Sequence, residues 1–192
     1  MLEKQTTFYI KQQNKKTVEL DIIKRRKKYL INNEKGHPLF SLKEINDNLI
    51  HRIFLSKNRP FKMKVYQTEA EFFTFERLFS FFKHTINVYD SDCNLIGKVT
   101  KKLFRFRKYE VKNNQGKSMY FIASHLVKRS NFEIKGDNYS VGLIKKERSK
   151  SKKTFLKPNG SFGMELVENL SNEHKILLIA AVILIDFVHY NN

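Results

Sequence analysis

The chain of 192 residues has one cysteine, Cys93, and 19 Asp and Glu against 37 Lys and Arg. A single thiol excludes an intrachain disulfide and a zinc site built from cysteines, and it points to a reducing compartment. The N-terminus, MLEKQTTFYIKQQNKK, has no apolar stretch of the kind a secretory signal needs. Leu2 stands where N-myristoylation would require glycine, and no prenylation box closes the sequence. The sequons at Asn138, Asn159 and Asn169 are therefore expected to stay unused.

Catalytic signatures are missing as well. The six histidines (37, 51, 84, 125, 174 and 189) are scattered, and none pairs at metal-ligand spacing. There is no His-Glu-x-x-His, no glycine-rich phosphate loop and no Gly-x-Ser-x-Gly. Asp90-Ser91-Asp92-Cys93-Asn94 imitates the start of a calcium loop. It then places Leu95 and Lys101 where glycine and glutamate are required, so it reads as a polar hairpin turn. The expectation is a protein that is not an enzyme, with no catalytic residues, no metal, no cofactor and no small-molecule substrate.

What the chain does have is positive charge, a net +18. A field of that size attracts polyanions, of which nucleic acid and the anionic face of a membrane are the obvious two. Since 28 of the 37 cations are Lys, and Asn and Ile are also frequent, compositional drift in an AT-rich genome is a third explanation. Three clusters stand out. The first is Lys24, Arg25, Arg26, Lys27 and Lys28, and the second is Lys98, Lys101, Lys102, Arg105, Arg107 and Lys108. The third, Lys145, Lys146, Arg148, Lys150, Lys152 and Lys153, follows a strand expected to end at Ile144 and reads as a loop. The first and third clusters are the candidate headgroup- or polyanion-binding residues, because each cation near an anionic surface contributes about 1 kcal/mol.

With 41% hydrophobic residues, 17 of them Phe and 8 Tyr, the chain has enough apolar material to fold as one domain. Most of it alternates at the strand period of two, in segments such as Glu71–Glu76, Thr85–Tyr89, Leu95–Val99 and Tyr139–Ile144. Phe104-Arg105-Phe106-Arg107 reads the same way, with two rings on one face and two guanidiniums on the other. Polar turn clusters recur between these segments, so the pattern is that of a sandwich or barrel. A weak repeat relates YLINNEKG from Tyr29 to YEVKNNQG from Tyr109, and Phe-Lys-Met-Lys at 61–64 to Phe-Glu-Ile-Lys at 132–135. This predicts two similar halves. Helix is expected only within Lys15–Lys28 and at the C-terminus.

The C-terminal run Ile176–Ile185 is apolar without interruption. Ten helical residues reach about 15 Å, half of a bilayer's hydrocarbon core. A helix apolar on every side must instead be enclosed on every side, and a barrel with a helix on its axis encloses one. A helix over about 172–186 is predicted, with Ser171 or Asn172 as cap and Phe187–Tyr190 returning to the sheet.

The chain resembles the phospholipid scramblases and the related LURP-one and tubby C-terminal-like proteins. The resemblance rests on YLINNEKGHPLFSLKE (29–44), RPFKMKVYQTEAEFFTFER (59–77), IGKV (96–99), NFEIKGDNYSVGLIKK (131–146) and the terminal KILLIAAVILIDFVHYN, in that order. It implies a mainly β fold: a closed antiparallel barrel of about twelve strands around a hydrophobic C-terminal helix, over residues 29–192, preceded by a basic segment at 1–28. It also implies binding of anionic phospholipid, a phosphoinositide among the candidates, at a cytoplasmic membrane face, with phospholipid scrambling as a further activity. A nucleic-acid-binding or nuclear protein, or an interaction module with no lipid role, is the alternative on the same fold. The family's acidic calcium segment corresponds here to TFLKPNGSFGMEL (154–166), with Glu165 as its one acid. The palmitoylated cysteine cluster and Pro-rich N-terminal region have no counterpart.

Overall fold

A computed structural model describes residues 2, 4–13, 27–45, 55, 58–125, 127–147 and 161–190. Twelve strands and one helix account for about two thirds of them. The strands are β1 (Thr7–Gln13), β2 (Lys28–Asn32), β3 (Pro38–Glu44), β4 (Phe61–Gln67), β5 (Ala70–Arg77) and β6 (Thr85–Asp90). They continue as β7 (Leu95–Lys101), β8 (Lys108–Asn113), β9 (Ser118–Ser124), β10 (Asn131–Lys135), β11 (Ser140–Lys146) and β12 (Phe162–Leu166). Each strand pairs antiparallel with its sequence neighbour, and β1 pairs with β12 to close the barrel. Closure leaves no unpaired edge. The helix α1 (Asn172–His189) fills the interior.

The period-two alternation decides which side chains face inward. Phe8 and Ile10, Tyr29 and Ile31, Phe61, Met63 and Val65, Ile86 and Val88, and Phe132 and Ile134 are all buried against α1, while their neighbours along each strand face out. The helix answers with an unbroken buried stretch, Lys175–Phe187, apolar except at its two ends. Gly97 in β7 lets the helix approach closely. A methyl group there would lie 2.3 Å from the Lys112 carbonyl oxygen and 3.1 Å from the Leu177 side chain. Gly97→Ala is therefore expected to cost about 1–3 kcal/mol in urea unfolding, through overpacking against backbone that cannot yield.

The repeat is structural. β2 and β8 stand six strands apart around the barrel, as do β4 and β10. The hairpins after β2 and β8 each turn through a glycine at positive φ, Gly36 at 81° and Gly116 at 82°. In each, the glycine N–H donates to the Asn carbonyl three residues earlier, Asn33 or Asn113, at 3.0 Å. Both hairpins carry a register shift at the same place, after Ile31 and after Val111.

Four expectations are corrected. The helix runs through His189 with Tyr190 as its cap, so Phe187–Tyr190 form no strand; the closing strand is β1, drawn from the segment read as an N-terminal lead. Phe104–Arg107 are a connection, not a strand, with Phe104 and Arg107 at positive φ. β11 continues two residues past Ile144 to Lys146. Lys28, placed in a candidate helix, begins β2; Lys15–Arg26 lie outside the described residues. Asp90 does make the polar turn, its Oδ1 accepting from the Asp92 and Asn94 amides at 2.9 and 2.8 Å.

At the helix N-terminus the Ser171 hydroxyl caps the His174 amide, and the Tyr120 hydroxyl meets His174 Nδ1 at 2.7 Å. Burial, only partly offset by the Glu173 carboxylate, pushes the imidazole below its ordinary value. The positive end of the helix dipole acts in the same direction. The folded state therefore holds His174 neutral where the unfolded chain protonates it, so stability falls as pH drops below about 6.5. His174→Gln should flatten that slope below about pH 6.5 in urea titrations, and an unchanged slope would assign it to other groups.

Candidate functional site

Antiparallel pairing sorts the connections by parity. Those after odd-numbered strands all emerge at one end of the barrel, and those after even-numbered strands at the other. Among the described residues, the odd-strand connections carry Lys27, Arg59, Lys83, Lys102, Arg105, Arg107, Lys128 and Arg129 against one acid, Glu147. The even-strand connections carry Lys35 and Lys117 against Glu34, Glu69, Asp92, Asp137 and Glu168 (Lys4, ahead of β1, adds a third cation there). The charge that composition alone leaves unplaced is thus concentrated on one rim.

The C-terminal end of α1 is the centre of that rim. Lys27 Nζ sits 3.7 Å from the centre of the Phe187 ring, with the Arg59 guanidinium over the same ring at 5.2 Å. Phe187 itself stacks on Phe61, centroids 4.2 Å apart. Lys146 Nζ lies 4.1 Å from the Phe162 and Tyr190 rings and 3.2 Å from Asp186 Oδ1, whose Oδ2 accepts from the Tyr29 hydroxyl at 2.8 Å. Arg107 donates to the Arg129 carbonyl at 2.5 Å and to the Tyr190 hydroxyl at 3.2 Å. Cations at a helix C-terminus are favoured by the dipole and by aromatic faces. Part of this charge therefore holds the plug in place.

Arg59 also forks onto the buried Glu44 carboxylate, which accepts from the Lys27 amide at 3.0 Å. Beside it Arg77 is 1% exposed, and its Nη2 meets His84 Nδ1 at 2.6 Å. Burial, together with the Arg59 guanidinium, pushes Arg77 down to about 10, so it stays charged at neutral pH.

On the outer wall below the rim is a cleft of about 540 Å³, lined by Lys102, Arg105, Lys108 and Lys135 around Phe121, with Glu133 as its one carboxylate. Glu133 pairs with Lys135 at 3.3 Å, and Lys102 with Glu110 at 2.5 Å. Burial opposes ionisation of Glu110, but Lys102, Ser118 and Lys112 outweigh it and hold its carboxyl below the usual range. Arg105 and Lys108 form no ion pair among the described residues.

The residues singled out from the sequence fall into three groups. Lys27 is on the rim, and Lys28 lies just inside β2 opposite Lys43. Lys145 is exposed and bridged to Glu165 at 3.2 Å, while Lys146, 13% exposed at its side chain, turns inward to Asp186. Lys24, Arg25, Arg26, Arg148, Lys150, Lys152 and Lys153 lie outside the described residues, but the strands flanking them, β1 with β2 and β11 with β12, open at the basic rim. Sequence clustering missed Arg59, Lys83, Lys128 and Arg129. Arg59 and Lys83 stand alone in their connections and Lys128 has only Arg129 beside it, so none forms a dense run, and only the parity of the strands brings them together.

Among the described residues, no helix is long and apolar enough to cross a membrane, and no three His, Cys, Asp or Glu side chains group to hold a metal. Comparison with known proteins finds a family model described as Scramblase that matches residues 1–192. No curated protein and no solved structure matches. With a twelve-stranded barrel, an enclosed C-terminal helix and a match along its whole length, the chain belongs to the Scramblase family.

Proposed function

We propose that this protein is a non-enzymatic binder of anionic phospholipid that docks its basic rim on the cytoplasmic face of a membrane. The observation that carries the reading is the segregation of charge among the described residues, eight cations to one acid at one rim and three cations to five acids at the other. Membership of a family with lipid-related function supports it. The cleft at Lys102, Arg105 and Lys108 is the seat proposed for a headgroup phosphate, with a phosphoinositide as one candidate. Lys145, Lys27 and Lys28, with Lys24, Arg25, Arg26, Arg148, Lys150, Lys152 and Lys153, add to the attraction in this reading. Lys146 secures the helix that the rim surrounds.

Lipid is bound at the surface. The barrel interior is filled by α1, so any movement of lipid between leaflets would proceed along the outer surface. Binding is proposed to need no calcium, because Glu165, the one acid of the stretch matching the family's calcium segment, is bridged to Lys145.

Flotation with vesicles of graded phosphatidylserine content, with calcium or with chelator, tests this. The expected result is recovery that rises with anionic content, falls with salt and ignores chelator. Absence of flotation at low salt, paired with tight and steeply salt-dependent binding to duplex DNA, would overturn it in favour of a nucleic-acid partner.

A further inference from the structure

Among the described residues, the basic rim also carries the most exposed apolar side chains. The six most exposed large apolar side chains among the described residues are Phe104 (103%), Val127 (93%), Phe82 (80%), Leu78 (64%), Phe106 (63%) and Phe81 (62%). All six lie in three connections, β5–β6, β7–β8 and β9–β10, which follow one another along the rim. At the opposite end the exposed large apolar side chains among the described residues are less bare, Tyr139 at 57%, Val167 at 39% and Leu95 at 36%, and Tyr139 and Val167 stand beside Asp137 and Glu168. Scattered exposed apolar residues are ordinary, but a contiguous set on one edge marks an interaction surface.

The three connections are held in shape. Phe104 and Arg107 adopt positive φ, 55° and 49°, a conformation that bulky residues enter only when their surroundings enforce it. Arg107 ties the β7–β8 connection to the Arg129 carbonyl in β9–β10 and to Tyr190 at the end of α1, and Arg129 stacks on Phe106 at 5.5 Å. The Lys101 amide donates to the His84 carbonyl, joining the roots of β5–β6 and β7–β8. Within the β5–β6 tip, Phe79 and Phe81 pack edge to face at 4.7 Å. Packing of the fold thus turns these rings outward and keeps them there.

Aromatic side chains interleaved with Lys and Arg match the two layers of an anionic bilayer's interface, where rings sit at headgroup level and cations meet phosphates. We infer that the β5–β6, β7–β8 and β9–β10 tips insert their apolar side chains into the interface of an anionic bilayer and set the barrel upright, with the C-terminal end of α1 facing the membrane. This rests on the lipid-binding reading above and adds insertion and orientation to it. It also supplies an apolar contribution to residence that charge alone does not provide.

The chain has no tryptophan, so single-Trp variants report one position at a time. The full-length variants Phe82→Trp, Phe104→Trp and, at the opposite end, Tyr139→Trp are each floated with phosphatidylserine-containing vesicles and then titrated with the same vesicles carrying brominated acyl chains. The expected result is a blue shift and loss of most of the emission at positions 82 and 104, with position 139 unchanged. Flotation of all three variants with no shift or quenching at 82 and 104 would overturn insertion and leave headgroup binding standing. Equal quenching at 139 would overturn the orientation. No flotation of any variant would sink both readings at once and point to an acidic protein surface as the partner of these tips.

Discussion

A chain truncated after Ser171 should have no cooperative unfolding transition and no native β-sheet signal by circular dichroism. Helix α1 supplies thirteen buried residues, seven of them Leu or Ile, to the core of the barrel. Truncating one buried Leu or Ile costs about 2–5 kcal/mol, whereas a whole domain is stable by about 5–15 kcal/mol. Removing all of them leaves inward-facing Phe8, Tyr29, Phe61, Val88, Phe132 and their neighbours around a void. No rearrangement of a closed twelve-strand barrel fills a channel the width of a helix. A truncated protein that keeps a sharp urea transition would show that α1 is an appendage and not the plug.

Asp186→Ala is expected to destabilise the protein by about 3–5 kcal/mol in urea unfolding, a larger loss than Gly97→Ala brings. Its carboxylate is 5% exposed and takes both the Lys146 ammonium, at 3.2 Å, and the Tyr29 hydroxyl, at 2.8 Å. The alanine variant strands a cation, itself 13% exposed, against the Phe162 and Tyr190 rings and leaves the Tyr29 hydroxyl without this acceptor. Breaking a buried pair from one side costs far more than replacing both partners, because the remaining charge is desolvated and uncompensated. The double variant Lys146→Met/Asp186→Leu should therefore be more stable than Asp186→Ala alone. Equal losses for the two would mean that the pair is uncoupled. The same geometry explains why a carboxylate sits in the most apolar stretch of the chain: it marks the mouth of the barrel, where the helix leaves the apolar interior.

The barrel and its plug were legible because one physical constraint repeats along the sequence. Every strand has one wet face and one face against α1, so alternation recurs from Phe8 to Met164, and the only all-round apolar segment has to be the element they surround. β1 escaped because Thr7–Gln13 has just two fully buried apolar residues, Phe8 and Ile10, among polar ones. The last helical turn escaped because Phe187-Val188-His189 favours strands by composition. It stays helical because Phe187 stacks on Phe61 and the C-terminal carbonyls lie among cations. The site was less legible than the fold. Reading clusters finds Lys145 and Lys146 as a pair, yet neighbours in a strand face opposite ways, so one meets solvent and the other Asp186. The rim is assembled from residues as distant as Lys27 and Arg129, and nothing local to either announces the other. Counting strands and sorting their connections by parity would have found it.

Docking through the rim requires that the position of a charge on the barrel matter, and not only its sign. Arg105→Glu/Lys128→Glu reverses two exposed cations on the basic rim, and Lys35→Glu/Lys117→Glu reverses two exposed cations at the far end. Both change the net charge by the same amount. With each charge near an anionic surface worth about 1 kcal/mol, and four unit charges altered by the two reversals, the rim variant should lose about a thousandfold in affinity for phosphatidylserine vesicles at low salt. The far-end variant should bind nearly as the unaltered protein does. Equal losses from the two variants would contradict rim docking, since the attraction would then belong to the overall charge and not to the rim.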